Sequence, residues 1–365
     1  MIRVLHIFHN MKNGGVERYV MNLYRHIDRE KVQFDFLMSE SNDGWFGEEI
    51  KLLGGRIYHV CSLTINPIKH CQEVTKIVRE NNYNIVHRHT GNAIAFLDIR
   101  AAKKGGAKVC ILHSHNPQAG KPVIHYISKV LFSTDCIRFA CSKESAEFLF
   151  GKREDYQIRK NAINIDDFIF SKDKRETLRC GLNIDNKLVI GHIGRFERQK
   201  NHKMLVDIFN EIHKRVQDSV LVCIGDGELF DEIKNYCSKL GLEESVLMLG
   251  SRNDVNEIIN VFDVFLFPSI YEGFGITLIE NQANGLKCFA SKDKVPIDAN
   301  IANNVIYISL EEPAVKWSEK ILETSLNRDF DAIQLIRKKG YDIKDEAKRM
   351  QNYYLQVEKE ENNAN

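Results

Sequence analysis

The sequence lacks net charge, long apolar runs and closely paired cysteines, and each absence excludes a class of protein. A formal charge of only +1 argues against a protein that binds nucleic acid through bulk electrostatics. No apolar run approaches the roughly 20 residues needed to span a bilayer. The opening apolar segment is too short for a signal peptide, so we expect a cytoplasmic protein.

Nine cysteines are present, but no two stand at the spacing of a zinc-binding Cys-x-x-Cys pair. Cys110, Cys223 and Cys288 lie in apolar runs, where a free thiol acts as a small hydrophobic side chain. We therefore expect reduced cysteines, as is usual in the cytosol, and no structural metal.

The length and composition indicate a soluble protein of two domains. A chain of 365 residues is long for one core, and 43% hydrophobic and 28% charged residues are ordinary for a globular protein. Short apolar runs alternate with amphipathic helical patterns along the chain. The predicted strands cover residues 4–8, 34–38, 57–60, 85–87, 109–112 and 137–140, and then 188–193, 220–224, 246–249, 264–267, 287–290 and 305–308.

This alternation predicts an α/β fold of two doubly wound, Rossmann-like domains with parallel sheets covered on both faces. We place the first domain at residues 1–170 and the second at residues 171–342. Motifs that follow the strands should then face an interdomain cleft, because ligands of such sheets bind beyond the carboxyl ends of the strands. A last amphipathic stretch, residues 343–357, has no strand after it.

Two glutamates flank a glycine-rich turn after a predicted strand of the second domain. Glu272 and Glu280 stand eight positions apart, and Gly273 and Gly275 let the backbone bend and approach a ligand closely. A helix beginning near Thr277 would leave its first amides free for an anion. Amides suit a phosphate and carboxylates suit sugar hydroxyls, so the turn predicts a site for a ligand that carries both. The alternative is an ordinary strand–turn–helix with two solvated glutamates.

A basic loop containing Arg195 and Lys200 follows the first strand of the second domain. Preorganised cations stabilise the negative charge of a phosphate group, and most of all charge that develops during a reaction. Arginine binds phosphate bidentately, and lysine supplies a compact charge. No Asp-x-Asp motif follows a strand, so we expect neither a metal nor another cofactor. The alternative is a basic surface loop, which Arg198 illustrates.

The glutamate pair with its Gly-Phe-Gly turn resembles the signature of the retaining glycosyltransferases of family 4, which have the GT-B fold. The resemblance covers nearly the whole chain. It implies that the second domain binds a nucleotide-diphosphate sugar, with its diphosphate held by Arg195 and Lys200. It also implies that Glu272 meets the donor sugar and Glu280 the ribose. The C-terminal helix, about residues 343–365, is implied to pack back on the first domain.

The same resemblance assigns further residues to the donor. The turn at Gly14 and Gly15 is implied to reach the diphosphate, and His115 to bond the sugar near its reacting carbon, with His113 as the second candidate. The implied catalytic residues are His115, Glu272, Arg195 and Lys200. The implied donor-binding residues are Gly14, Gly15, Arg195, Lys200, Arg252, Asn253, Val255, Glu272, Gly273, Phe274, Gly275, Ile276, Thr277 and Glu280.

Histidines recur after two neighbouring predicted strands, as His87-x-His89 and His113-x-His115. Such pairs point two side chains to one face of a strand. Because no cysteine or carboxylate stands nearby in sequence as a third ligand, we expect no metal here. Asn116 and Gln118 are candidates for the acceptor side.

A basic excess marks residues 103–160, with eleven Lys or Arg against five Asp or Glu. The stretch includes an apolar segment at residues 121–132. A basic, partly apolar face attracts anionic lipid at roughly 1 kcal/mol per cation near the surface. We expect peripheral attachment to the inner face of the cell membrane; the alternative is a buried helix with solvated lysines.

We interpret the chain as a retaining, metal-independent hexosyltransferase. It should move a sugar from a nucleotide-diphosphate sugar, expected to be a UDP-sugar, to a lipid-linked or oligosaccharide acceptor in capsule, exopolysaccharide or O-antigen assembly. Two alternatives stay open: a sugar-nucleotide epimerase of the same fold, and a catalytically silent partner protein that keeps the nucleotide-sugar pocket. A nicotinamide dehydrogenase lacks its Gly-x-Gly-x-x-Gly fingerprint here.

Overall fold

The structure, a computed structural model, describes residues 1–12, 14–116 and 122–363. The acceptor-side candidate Gln118 therefore lies outside the described residues. The chain divides into two compact units, the first formed by Met1–Ala162 with Tyr341–Asn365 and the second by Ile163–Gly340. All nine cysteines are free thiols.

The first unit contains seven parallel strands in the order β3-β2-β1-β4-β5-β6-β7. Its strands are β1 Ile2–Phe8, β2 Val32–Met38, β3 Ile57–His59, β4 Ile85–Thr90, β5 Val109–Ser114, β6 Ile137–Ala140 and β7 Gln157–Ile158. Its helices are α1 Gly15–His26, α2 Gly47–Leu52, α3 Pro67–Glu80, α4 Phe96–Gly105, α5 Pro122–Phe132, α6 Lys143–Phe150 and, from the end of the chain, α14 Ile343–Asn363.

The two faces of this sheet differ in chemistry because side chains alternate along each strand. Leu5, Ile7 and Leu112 belong to an aliphatic cluster shared with residues of α3 and α4. The opposite face carries aromatic and imidazole rings that contact tyrosines of α1 and α14. Helix α14 is also hydrogen-bonded to the rest of the first unit, because the backbone amide of Asp28 donates to Gln351 Oε1 at 2.8 Å.

The second unit contains six parallel strands in the order β10-β9-β8-β11-β12-β13. Its strands are β8 Leu188–Ile193, β9 Ser219–Ile224, β10 Val246–Met248, β11 Val264–Phe267, β12 Lys287–Ser291 and β13 Val305–Ile308. Its helices are α7 Lys172–Gly181, α8 His202–Arg215, α9 Phe230–Lys239, α10 Val255–Ile258, α11 Ile276–Ala283, α12 Ala314–Glu323 and α13 Ala332–Lys338.

The apolar pattern predicted most strands well. The predictions at residues 137–140, 188–193, 264–267 and 305–308 coincide with β6, β8, β11 and β13. Strand β7 has two exposed residues and no apolar pattern, so the sequence carried no signal for it. The prediction for β4 and β5 was too short, because both strands continue through polar residues that we had placed after them.

Candidate active site

The glutamate-flanked turn of the second unit follows β11, whose four residues are all buried. Gly275 has a φ of +78°, in the left-handed region, and caps the start of α11. A Cβ at this position would also lie 3.3 Å from the ring of Phe267. Glycine is therefore favoured by both the backbone and the packing. The neighbouring Phe274 is buried and anchors the turn to the core.

Lys200 and Glu272 form the central ion pair of this site. Lys200 Nζ donates a hydrogen bond of 2.6 Å to Glu272 Oε1, and the two side chains are only 16% and 6% exposed. The same ammonium group lies 4.6 Å from the centroid of the Phe267 ring, a cation–π distance. Glu272 is therefore not a solvated surface glutamate, which rejects that alternative for this residue.

Short polar contacts hold the Lys200 loop against the turn. The amide of Ile270 donates to the carbonyl of Gln199 at 2.8 Å, and Gln199 Nε2 donates to the carbonyl of Tyr271 at 3.0 Å. Asn201 Nδ2 donates to the carbonyl of Pro268 at 3.1 Å. Sequence reasoning missed both positioning side chains; the only signal was that these polar residues flank Lys200.

Arg195 lies on the exposed side of the same loop. Its side chain is 54% exposed and pairs with Glu197 at 2.8 Å. An exposed pair of this kind contributes at most about 1 kcal/mol, so a phosphate can compete for the guanidinium. Arg198 is exposed as well.

Two glycines bring the loops after β8 and β9 into backbone contact. Gly225 has a φ of +142°, and a Cβ there would lie 2.0 Å from the carbonyl oxygen of Gly194. The amide of Gly194 donates to the carbonyl of Ile224 at 2.9 Å. The glycine turn after β9 therefore supports the Arg195 loop through close packing.

Glu280 lies on α11 and is buried, so it too is not a solvated glutamate. Asn281, the next residue, donates through Nδ2 to the carbonyl of Thr277 at 2.7 Å, within the same helix. The structure thus brings a second shielded carboxylate to the helix that follows the turn.

The loop after β10 carries the predicted base-side residues. Arg252 donates through Nε and Nη2 to both carboxylate oxygens of Asp254, at 2.8 and 2.7 Å. This hydrogen bonding lowers the pKa of Asp254. Asn253 is exposed, whereas the Val255 side chain belongs to the core. Arg252 is therefore engaged within its own loop rather than free.

In the first unit, the glycine pair opens α1. Gly14 has a φ of −98°, which any residue adopts, but a Cβ there would lie 2.4 Å from Glu17 Oε2. Gly15 is the first residue of the helix. The first amides of an α-helix have no acceptor in the preceding turn of that helix, so the start of α1 is suited to an anion.

Five buried histidines, which we call the histidine layer, line one face of the first sheet. They are His6, His87, His89, His113 and His115. The predicted strands ended too early for two of these residues, because β4 contains His89 as well as His87 and β5 contains His113. Only His115 follows a strand. Sequence reasoning missed His6, which stands alone in β1.

Imidazole–imidazole hydrogen bonds connect the layer. His6 Nδ1 lies 3.0 Å from His89 Nε2, and His89 Nδ1 lies 3.0 Å from His115 Nε2. His87 Nε2 lies 3.2 Å from His113 Nδ1. Burial lowers the pKa of His6 and of His115 to about 3, and in His115 the amide of Asn161 partly offsets this effect. Burial also lowers the pKa of His87, His89 and His113, so it favours the neutral imidazole throughout the layer.

Comparisons with known proteins identify the family. Residues 174–336 match the model of "Glycosyl transferases group 1", and residues 13–164 match "Glycosyltransferase Family 4". A relative from Bacillus subtilis, "Putative glycosyltransferase EpsF", is 33% identical over 380 residues, covering 99% of this chain and 98% of that protein. This chain belongs to glycosyltransferase family 4.

Other matches support the same assignment. The Escherichia coli enzyme "UDP-Gal:alpha-D-GlcNAc-diphosphoundecaprenol alpha-1,3-galactosyltransferase" is 25% identical over 315 residues, covering 80% of this chain and 79% of that enzyme. A crystal structure of Anabaena HepE with UDP and glucose has a TM-score of 0.81 at 18% identity, covering 97% of this chain and 99% of that one. The GT-B fold prediction is thus confirmed, and the matches do not favour the epimerase or silent-partner alternatives.

Among the described residues of this glycosyltransferase, no helix is both long and apolar enough to cross a bilayer.

Proposed function

We propose that this glycosyltransferase moves a sugar from a UDP-sugar to a lipid-linked or oligosaccharide acceptor, with retention of configuration, in capsule, exopolysaccharide or O-antigen assembly. The name of the E. coli relative supports this proposal, since it states a UDP-linked donor and a diphosphoundecaprenol acceptor. A Staphylococcus aureus relative, 23% identical over 82% of this chain, is named for capsular polysaccharide biosynthesis.

The observation that carries the proposal is the buried pair of Lys200 and Glu272 beside the turn that opens α11. In our proposal Lys200 and Arg195 take the donor diphosphate, and Glu272 takes hydroxyls of the donor sugar. Glu280 binds the ribose, and the amides at Ile276 and Thr277 face the phosphates. Gly14 and Gly15 approach the diphosphate, and the loop of Arg252, Asn253 and Val255 surrounds the base.

The chemistry of the step follows from charge. Cleavage of the bond between the sugar and the diphosphate leaves negative charge on the leaving group, and the two cations stabilise that charge most in the transition state. His115 and Glu272 orient the sugar. The acceptor hydroxyl attacks from the face that the diphosphate leaves and passes its proton to the departing phosphate oxygen. The cations make a metal unnecessary for departure of the diphosphate, so no cofactor is assigned.

A donor panel tests this function. Untagged protein is incubated with UDP-, GDP- and dTDP-sugars with and without a lipid-diphosphate glycan, and proton NMR gives the anomeric configuration of the product. We expect transfer from a UDP-sugar, an α-linkage from an α-linked donor, and unchanged turnover in EDTA. An inverted anomer, dependence on Mg²⁺ or Mn²⁺, or conversion of the donor without an acceptor would each contradict a part of the proposal.

Peripheral membrane attachment is the second part of the proposal. Helix α5 presents apolar side chains at helical spacing, all between 53% and 82% exposed: Val123, Tyr126, Ile127, Val130 and Leu131. A contiguous apolar stripe of this kind is unusual on a soluble protein and is typical of helices that lie in a membrane interface. The stripe sits within the basic stretch at residues 103–160, which favours anionic lipid.

Flotation with phosphatidylglycerol vesicles at low salt tests this attachment. We expect the native chain to float, and the paired change Ile127→Asp with Val130→Asp to abolish flotation. Leu52→Asp is a matched control, because Leu52 is 86% exposed on another helix of the same unit. Equal flotation of the paired variant, or no flotation of the native chain, would contradict attachment through α5.

A further inference from the structure

Three members of the histidine layer converge at the carboxyl ends of β4 and β5. His89 stands opposite His113 in the pairing of the two strands, and His115 is two residues further along the same face. One ring nitrogen from each residue lies within 4.8 Å of the other two. We propose that His89, His113 and His115 form a binding site for a borderline divalent cation, of which Zn²⁺ is the type.

One of the three ligands carries a nitrogen that is not used by the protein. His113 Nε2 is buried and has no hydrogen-bond partner within the described part of the chain. A buried polar atom without a partner is costly, and an ion in contact with it would remove that cost.

Outer acceptors can orient two of the three ligands, His89 and His113. His89 Nε2 lies 3.0 Å from His6 Nδ1, and His113 Nδ1 lies 3.2 Å from His87 Nε2. If the outward nitrogens carry the protons, His89 donates to His6 and His113 donates to His87. No proton then lies between His89 Nδ1 and His115 Nε2, which are 3.0 Å apart, so both nitrogens are free to bind the ion together with His113 Nε2. Such outer hydrogen bonds fix the tautomer and orientation of metal-binding histidines.

A second histidine triad in the layer, His6, His87 and His89, also satisfies the distance criterion. Its nitrogens are largely occupied, because both nitrogens of His87 and of His89 take part in hydrogen bonds, including one of 2.7 Å from His87 Nδ1 to the hydroxyl of Tyr354. Only His6 Nε2 lacks a partner among the described residues. This contrast assigns the ion to the first triad, with His6 and His87 as the outer partners.

Occupation of the site should inhibit transfer. This consequence rests on the proposed function, in which His115 orients the donor sugar. An ion bound to His115 would withdraw the imidazole from that contact, so Zn²⁺ is expected to lower turnover and EDTA to restore it.

Direct binding tests the site independently of activity. Titration calorimetry of the untagged full chain with Zn²⁺ at pH 7.5 should give one ion per chain, and crystals soaked in Zn²⁺ should show an anomalous peak at His89, His113 and His115. The variants His113→Gln and His115→Gln should each weaken binding about tenfold or more, after a melting curve has confirmed their fold. His125→Gln is the matched control, since His125 is a buried histidine outside the layer.

The outcomes separate the two proposals. Fewer than one ion per chain, an anomalous peak at another place, or unchanged affinity in both glutamine variants would overturn the metal site. Binding at the triad without loss of turnover would support the metal site and contradict the sugar contact of His115.

Discussion

The ammonium group of Lys200 lies 2.6 Å from the carboxylate of Glu272, although 72 residues separate them in sequence. Both side chains are largely shielded, so removing either partner leaves the other charge poorly compensated. In the absence of a donor, the carboxylate of Glu272 balances the positive charge of Lys200. A donor diphosphate must therefore compete with Glu272 for the ammonium group, while the sugar hydroxyls take up the carboxylate.

A double-mutant cycle on this pair tests that coupling. Lys200→Ala and Glu272→Ala should each lower kcat/KM at least about tenfold, or about 1.4 kcal/mol. The double variant should lose less than the product of the two effects, because each single variant also leaves an unpaired charge. Lys203→Ala on the exposed side of α8 is the control and should stay within about twofold. Strictly multiplicative effects would contradict the coupling.

Arg195 and Arg198 offer a matched comparison, since both are exposed and lie in one loop. If Arg195 grips the diphosphate bidentately, Arg195→Ala should lower kcat/KM for the donor at least about tenfold. Arg195→Lys should recover only part of that loss, because lysine cannot reproduce the planar fork. Arg198→Ala should behave almost like the native enzyme. Steady-state kinetics with varied donor measures all three, and equal effects at the two arginines would argue against the assignment.

Gly275→Ala should damage the donor site through the backbone. The left-handed φ of +78° makes alanine unfavourable by about 1 kcal/mol, and the new methyl group would press on Phe267. We expect weaker UDP binding by calorimetry together with a lower Tm. Gly241→Ala is the control, because its φ is +70° and nothing lies within 4 Å of the added Cβ. That variant should lose similar stability and keep UDP binding.

Buried histidines should make the fold sensitive to acid. Burial, with smaller effects of His192 and Lys200, lowers the pKa of His202 to about 2, and burial lowers the pKa of His192 to about 4. In the unfolded chain a histidine has a pKa of about 6.5. Below that pH the unfolded chain binds a proton at each of these two histidines, whereas the folded chain does not. Stability therefore falls as pH drops through 6.5, by up to about 1.4 kcal/mol per pH unit for each histidine.

Melting curves at pH 7.5, 6.5 and 5.5 measure this effect. His202→Phe removes one titrating group while keeping a ring stacked on Phe196, 3.9 Å away in the native chain. We expect its Tm to fall less between pH 7.5 and 5.5 than that of the native protein. Identical pH dependence in the two proteins would show that His202 is protonated in the folded state.

Much of the donor loop chemistry was visible in the sequence. The glycines next to Glu272 and the cations of the loop after β8 could be recognised from the sequence, because backbone freedom and charge are properties of the residues themselves. The supporting residues were not visible. Gln199 and Asn201 act by donating to carbonyls about 70 residues away, and no local pattern specifies those partners.

The alternation of apolar runs and amphipathic segments determined the two parallel sheets, and the motif spacing determined the family. The apolar alternation and the motif spacing both depend on residues close together in sequence. They recur along the chain, so no single residue changes the prediction. Only the tertiary structure decided which distant groups meet: it paired Lys200 with Glu272 and placed His6 among the histidines of β4 and β5. It also left the apolar stripe of α5 exposed. Strand order and helix packing set these contacts, and neither is encoded in the residues next to the groups concerned.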